Sequence, residues 1–299
     1  MTLQFAGTAV DLRIGSLVVR VQADEPALRR ELETLYADFP DTVCAGGFAD
    51  FHVRLGRAAG LRRWLWPQVV FDHDDFQPFR SLPADQALLL FEGGLNWTIA
   101  ENANFFLVIH AAAVERDGRA AIFPAASGAG KSTLCAALIS RGWRLLSDEL
   151  ALISLENGAV SALPRPVSLK NEAIDAIREF APGSVFSASI PGTEKGTVAF
   201  LKPPTESVER MGELATPAWV IVPRYVRHAR PLLSPRGKAE TFMALYDNAY
   251  NYYLFGRAGF DRLAGLVDRC DCYDFVYSEL ADAVETFAML AADRAPGGR

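Results

Sequence analysis

Apolar positions along this chain fall into short alternating runs, longer continuous runs and stretches at helical spacing. Together they predict a mixed α/β protein. Residues 12–22 carry Leu17, Val18, Val19 and Val21 and predict a strand. In residues 25–36, Pro26 stands near a first turn and Leu28, Leu32 and Leu35 share one face, which predicts an amphipathic helix. Residues 48–55 alternate as a half-buried strand does. Residues 64–79 are rich in aromatics and acids and predict a hairpin with a charged turn at Asp72-His73-Asp74-Asp75. One His among clustered Asp has the composition of a solvated loop rather than of a metal site. Residues 82–97 predict a short helix or a strand.

From about residue 105 the apolar runs become longer. Residues 106–114, which include His110, predict a strand, and the turn Glu115-Arg116-Asp117-Gly118 predicts a hairpin into a second strand at 120–123. Residues 132–140 predict a helix with Leu134, Ala137 and Leu138 on one face and Gly142 as its stop. Residues 144–153 predict a buried strand or strand pair, interrupted by Ser147-Asp148-Glu149. Further strands are expected after the 192–196 loop, at 219–226 and at 273–277. Helices are expected at 240–254, 259–267 and 280–292. The aromatic face of the first of these (Phe242, Tyr246, Tyr250, Tyr253) has the spacing of core packing. The reading is α/β: an amino-terminal α+β region over 1–104, then a larger unit of mixed sheet and helices over 105–299.

Composition narrows the classes. Half of the 299 residues are hydrophobic, 22% are charged and the net charge is −6. These values suit a globular chain and argue against a nucleic-acid partner or an acidic membrane surface. The start of the chain has no basic segment leading into an apolar one, and no apolar run is long enough to span a bilayer, so the expected location is the cytoplasm. Cys44, Cys135, Cys270 and Cys272 are read as thiols in a reducing compartment.

The chemistry concentrates in residues 125–132, Ala-Ala-Ser-Gly-Ala-Gly-Lys-Ser. This is the phosphate-loop pattern G-x-x-x-x-G-K-[ST], with Ala125 where the pattern has its first glycine. The predicted nucleotide-binding segment is Ala126, Ser127, Gly128, Ala129, Gly130, Lys131, Ser132 and Thr133. Gly128 and Gly130 let backbone N–H groups approach phosphate oxygens. Lys131 supplies a point charge to the β- and γ-phosphates, and the Ser132 hydroxyl suits Mg²⁺. The preceding strand and following helix complete an anion grip. Asp148 and Glu149 lie within an apolar run, where unpartnered carboxylates are costly. A metal ion, a proton-transfer task or a surface turn would each account for them. Lysine is scarce, so Lys170 and Lys195, in loops flanked by Gly or Pro, are candidate phosphate or substrate contacts, together with Arg165. Lys202 and Lys238 are read as solubilising.

His110, the loop, Arg141-Gly142 and Asp148-Glu149 together resemble the catalytic domain of bacterial HPr kinase/phosphorylase. His110 lies twenty-one residues before Lys131 and Asp148 seventeen after it. Residues 163–171 and 195–199 are similar to the HPr-kinase-related kinases of the "kinase A" type, and the wider resemblance is to kinases with a phosphoenolpyruvate carboxykinase-type nucleotide-binding core. The resemblance covers roughly residues 105–202. It implies an ATP- and Mg²⁺-dependent kinase acting on a hydroxyl of a peptide or protein. In it Lys131 binds phosphates, Ser132 and Glu149 hold the metal, Asp148 is the general base and His110 sits beside Asp148 and tunes it. The Arg-Gly-Leu-Gly run and metal-binding Glu of the true HPr enzymes are absent from the sequence, which speaks against HPr as acceptor and against a phosphorylase reaction. By the same resemblance, a small peptide-chaperone protein is an expected partner. A small-molecule kinase and a nucleotide-dependent peptide-binding module remain as alternatives.

Overall fold

The structure, a computed structural model, describes residues 5, 7–40, 47–58, 67–126 and 128–293. The first sheet runs in the order β1 (Ala9–Ile14), β2 (Leu17–Ala23), β3 (Phe51–Arg57), β4 (Gln68–His73), β5 (Leu82–Pro83). The single strand expected over 12–22 is therefore a hairpin. Apolar residues on both arms hide its turn, but Gly15 marks it: φ is +62°, and a Cβ there would stand 2.1 Å from the Ala162 carbonyl oxygen. Helix α1 (Pro26–Leu35) buries Leu28, Leu32 and Leu35, as its spacing predicts, and joins the parallel pair β2–β3.

Of the hairpin expected over 64–79 the charged turn forms, with His73 and Phe76 exchanging backbone hydrogen bonds around Asp74-Asp75, while 59–66, with Trp64, lie outside the described residues. β4 pairs with β3 and β5, and the acidic turn returns the chain through one bridge, His73 to Phe76. His73 turns inward, while Asp74 and Asp75 take positive φ on the surface. Among the described residues, no group of His, Cys, Asp and Glu is assembled to hold a metal ion. Residues 82–97 resolve into β5, a short 3₁₀ turn and α2 (Ala87–Asn102), a helix apolar on most sides and correspondingly buried.

The second sheet is built from β6 (Phe106–Arg116), β7 (Arg119–Pro124), β8 (Arg144–Ser147), β9 (Leu150–Ser154) and β10 (Val160–Ser161). A small third sheet holds β11 (Val167–Lys170), β12 (Ile190–Thr193) and β13 (Gly196–Leu201), and β14 (Thr216–Tyr225), β15 (Leu232–Pro235) and β16 (Asp271–Tyr277) complete the second. Its order is β10-β9-β6-β7-β14-β16-β15, with β8 also paired to β6. β7, β14 and β16 are mutually parallel. The β6–β7 hairpin closes through Asp117-Gly118, both at positive φ, the chemistry a two-residue turn requires.

Helices α3 (Lys131–Ile139), α4 (Glu172–Phe180), α5 (Thr205–Glu209), α6 (Lys238–Asp247), α7 (Gly256–Arg269) and α8 (Leu280–Asp293) accompany these sheets. β7 shows why its strands read as unbroken apolar runs. Ala121 and Phe123 pack in one cluster with α3 and α8, while Ala120 and Ile122 pack in another with α6 and α7. A third cluster joins the first sheet, α1 and α2 to Phe106, Val108, Leu150 and Leu152. No helix among the described residues is long and apolar enough to cross a membrane.

Two expectations need correction. The helix expected over 240–254 ends at Asp247, and its aromatic face is core only in part: Phe242 packs against the core with buried Thr241 and Leu245, while Tyr246, Tyr250 and Tyr253 are exposed. Lys202 and Lys238 are partnered rather than free. Lys202 pairs with Asp38 at 2.8 Å, and Lys238 donates to carbonyls at the end of α7, Val267 at 2.7 Å among them. Cys135, Cys270 and Cys272 are buried thiols without disulfides; Cys44 lies outside the described residues.

Behind the sheet, Arg144 of β8 pairs with Glu115 of β6, both side chains almost fully buried. Arg144 also donates to the Arg210 and Glu213 carbonyls, and Glu115 accepts from the Gly118 N–H at 2.6 Å. Glu115→Ala strands a buried guanidinium and is expected to cost about 3–5 kcal/mol. Urea denaturation checks this; a midpoint within error of wild type contradicts it.

Candidate functional site

The loop after β7 is shaped by two glycines. Gly128 has φ +86° and Gly130 +94°, the latter capping α3. The loop is held by the ends of the neighbouring parallel strands β14 and β16. The Tyr277 hydroxyl donates to the Gly130 carbonyl at 2.8 Å, and the Tyr225 N–H donates to the Ala129 carbonyl at 3.0 Å. Ala125, in the place of the pattern's first glycine, is buried under the loop. Ser127 lies outside the described residues. Lys131 opens α3 and is buried, with its ammonium donating to the Ala125 carbonyl. Burial pulls its pKa below the ordinary lysine value, against the opposing pull of Glu149 and Asp148.

The acid pair occupies a break in one edge of the sheet. β9 pairs with β6 over Phe106–His110, and β8 pairs with it over Ala113–Glu115. Asp148 and Glu149 are the residues between, level with the middle of β6, where Ala111 faces Pro124 at the end of β7. The two carboxyls have different surroundings. Asp148 is 4% exposed; its Oδ2 accepts the Ser168 N–H at 3.0 Å, and its Oδ1 is buried without a hydrogen-bond partner among the described residues. Burial first, then the Glu149 charge, push its pKa up to about 7, against the Ser168 N–H, the nearby Ser132 hydroxyl and Lys170. Glu149 is half-buried. Burial alone would raise its pKa, but the hydrogen bond and charge of His110, with Lys170 and Lys131, bring it below the usual glutamate value.

His110 thus pairs with Glu149, Nε2 to Oε2 at 3.0 Å, and not with Asp148 as expected. Leu150 stands opposite His110 in the β6–β9 register, so the next residue back, Glu149, is the carboxyl within reach of the imidazole. A segment after α6 fixes the histidine from the other edge of β6. The His110 N–H donates to the Asn248 carbonyl at 2.7 Å, and the Tyr250 ring lies 5.8 Å from the imidazole. Buried Asn251 bonds both the Val108 N–H and the Phe106 carbonyl, each at 2.9 Å.

His110, Glu149, Gly128, Gly130, Lys131, Ser132 and Thr133 line one open cleft of about 1230 Å³, and Lys170 and Lys195 line it too. Arg165 does not. Its guanidinium turns to α2, donating to Glu92 Oε2 at 2.5 Å, the Glu92 carbonyl at 2.9 Å and Asn96 at 2.7 Å. A buried charge needs such partners, and sequence proximity to Lys170 could not reveal them. Tyr225 and Tyr277 are contributors that the sequence did not single out, and Tyr250, expected as core packing, instead lies against His110. The first two could have been reached from the tendency of parallel strands to gather ligand contacts at their carboxyl ends, where both lie.

A Mg²⁺ ion takes one or two protein oxygens and fills its octahedron with phosphate and water. The Ser132 hydroxyl and the ionised Glu149 on one cleft, with the unpartnered Asp148 Oδ1 close behind, fit that demand.

The family model of the SynChlorMet cassette protein ScmC matches residues 97–171, a stretch that includes His110, the loop and the acid pair. None of the curated proteins matches the chain. Among solved structures, the HPr(Ser) kinase/phosphatase from Coxiella burnetii is similar at 14% identity, over 62% of this chain and 98% of that one, with a TM-score of 0.26.

The two glycines should differ on substitution. A Cβ at Gly130 would stand 2.5 Å from the Tyr277 hydroxyl, whereas one at Gly128 meets nothing within 4 Å. Gly128→Ala is expected to cost only the left-handed backbone strain, about 1–2 kcal/mol, and Gly130→Ala clearly more. Thermal denaturation of the two variants gives the comparison; equal losses contradict the Tyr277 clamp.

Proposed function

We propose that this chain is an ATP-dependent kinase that transfers the γ-phosphoryl group to a hydroxyl of a peptide or protein. The observation that carries the reading is the acid pair. Two adjacent carboxyls beside a phosphate loop have their pKa values driven apart, Asp148 up to about 7 and Glu149 below its ordinary value. Such a split distinguishes a proton acceptor from a carboxylate that stays charged. A base is most effective when its pKa lies near the working pH, which favours Asp148 for the proton.

In this reading the loop N–H groups and Lys131 hold the triphosphate, and Ser132 and Glu149 hold Mg²⁺. The ion, when bound, spreads the charge of the β- and γ-phosphate oxygens. Asp148 takes the proton of the acceptor hydroxyl. The hydroxyl oxygen bonds to the γ-phosphorus as the bond to the β,γ-bridging oxygen breaks, and ADP leaves with that electron pair. His110 acts on Asp148 through Glu149: by keeping Glu149 ionised it sustains the charge that raises its neighbour. The partners in this reading are the peptide or protein acceptor and a small peptide-chaperone protein, the latter from the sequence resemblance alone.

The test is γ-labelled ATP and Mg²⁺ with candidate peptides, followed by mass spectrometry to locate the phosphate. Asp148→Asn is expected to keep nucleotide affinity and lose transfer by about 10²–10⁴-fold. His110→Ala should lose less and show a shifted pH profile. Tight ATP binding by wild type without transfer to any acceptor would favour a nucleotide-dependent binding module instead. Lys131→Ala should abolish the ATP-induced rise in melting temperature, and an unchanged rise would remove Lys131 from the site.

The direction of the Asp148 shift also fixes two pH dependences. Transfer needs the ionised form, so kcat/KM, which reports the free enzyme, should climb through about pH 7 in wild type and lose that limb in Asp148→Asn. The ligand-free fold, by contrast, favours the protonated form. Its Asp148 contribution is full below about pH 4, the ordinary aspartate value, and is lost as pH rises through about 7. Denaturation of wild type and Asp148→Asn at pH 5 and pH 8 measures this; a wild type that gains stability relative to the variant over that interval contradicts the shift.

A further inference from the structure

The sheet order gives the cleft a direction. The loop springs from β7. On one side of β7 stands β6, with His110 and Glu149, and on the other stand β14 and β16. A triphosphate lying on the loop with its γ end toward the acid pair must run its nucleoside toward the ends of β14 and β16. Those ends are Tyr225 and Tyr277, and both line the cleft. The two tyrosines differ in burial. Tyr277 is fully buried and spends its hydroxyl on the Gly130 carbonyl. Tyr225 is 47% exposed, with its ring edge-on to Tyr277 at 5.8 Å. Its backbone is fixed to the loop through Ala129, and Val226 donates to the Tyr277 carbonyl at 2.9 Å. The ring is therefore held in place and still open to the cleft. Ala173, Ala176 and Phe180 of α4 line the same cleft and add small or flat apolar surface beside it.

We propose that Tyr225 is the stacking platform for the purine base of the bound nucleotide, an inference that rests on the nucleotide reading above. Stacking on one aromatic ring contributes little hydrogen-bond selectivity but holds a flat, apolar base well. The site should therefore prefer purine over pyrimidine triphosphates and distinguish ATP from GTP only weakly.

The experiment compares Mg·ATP with Mg·tripolyphosphate, which has the phosphates and lacks the base, by calorimetry on wild type, Tyr225→Ala and Tyr225→Phe. The expected result is a loss of about ten- to hundredfold in ATP affinity for Tyr225→Ala, with tripolyphosphate affinity unchanged and Tyr225→Phe close to wild type. Equal losses for both ligands would overturn the proposal, because Tyr225 would then act by shaping the loop. Unchanged ATP affinity in Tyr225→Ala would overturn it too, as would a wild type that binds ATP no more tightly than tripolyphosphate. A wild type that binds neither ligand would bring down the nucleotide reading itself and this inference with it. Thermal melts of the ligand-free variants, expected to match wild type, keep misfolding from imitating a result.

Discussion

Two adjacent carboxyls set against one sheet edge cannot both stay charged cheaply. Desolvation penalises each, and each penalises the other. The molecule resolves this by unequal treatment. Glu149 has the imidazole of His110 at 3.0 Å, while Asp148 is sealed beneath it with one backbone N–H and an unpartnered oxygen. Much of the surrounding architecture serves that inequality. The gap between β8 and β9 sets the pair opposite β6. The segment after α6 fixes His110, and Asn251 fixes the segment. The proposed phosphoryl transfer would need positioning and charge more than covalent chemistry.

A second constraint acts on the phosphate loop. Its glycines give the backbone its left-handed turns, but the loop does not hold itself. Tyr277 and Tyr225, from strands more than ninety residues later in the chain, bond its carbonyls. The parallel neighbours of β7 therefore do more than extend the sheet, because their ends fix the loop that would receive the anion. At the other end of the chain, α2 holds Arg165 away from the cleft through Glu92, and the amino-terminal sheet shares a core with β6 and β9. The side chains behind Asp148 are thus tied to the amino-terminal region.

How much of this the sequence disclosed depended on the range of the interaction. The strand, loop and helix around Lys131 are local, and periodicity with glycine placement was enough to find them. The break at Ser147-Asp148-Glu149 was visible because acids inside an apolar run are conspicuous. The β1–β2 turn was hidden because apolar residues flank Gly15 closely on both sides. Of the aromatic stripe expected over 240–254, Phe242 packs inward and Tyr246, Tyr250 and Tyr253 do not, because spacing records that a stripe exists and not what covers it. The His110 partner was misassigned because the choice between Asp148 and Glu149 depends on strand register. Arg165 was misplaced because its partner is seventy-three residues earlier, on a helix whose very type the sequence left open.

The central claim is that the surroundings split the acid pair, and its most direct measurement is a ¹³C-detected NMR titration of the side-chain carboxyl carbons. Asp148 is predicted to titrate near pH 7 and Glu149 below the ordinary glutamate value, with Glu149 rising toward Asp148 in His110→Ala. Both carboxyls titrating together in the ordinary range, or a splitting indifferent to His110, would contradict the account.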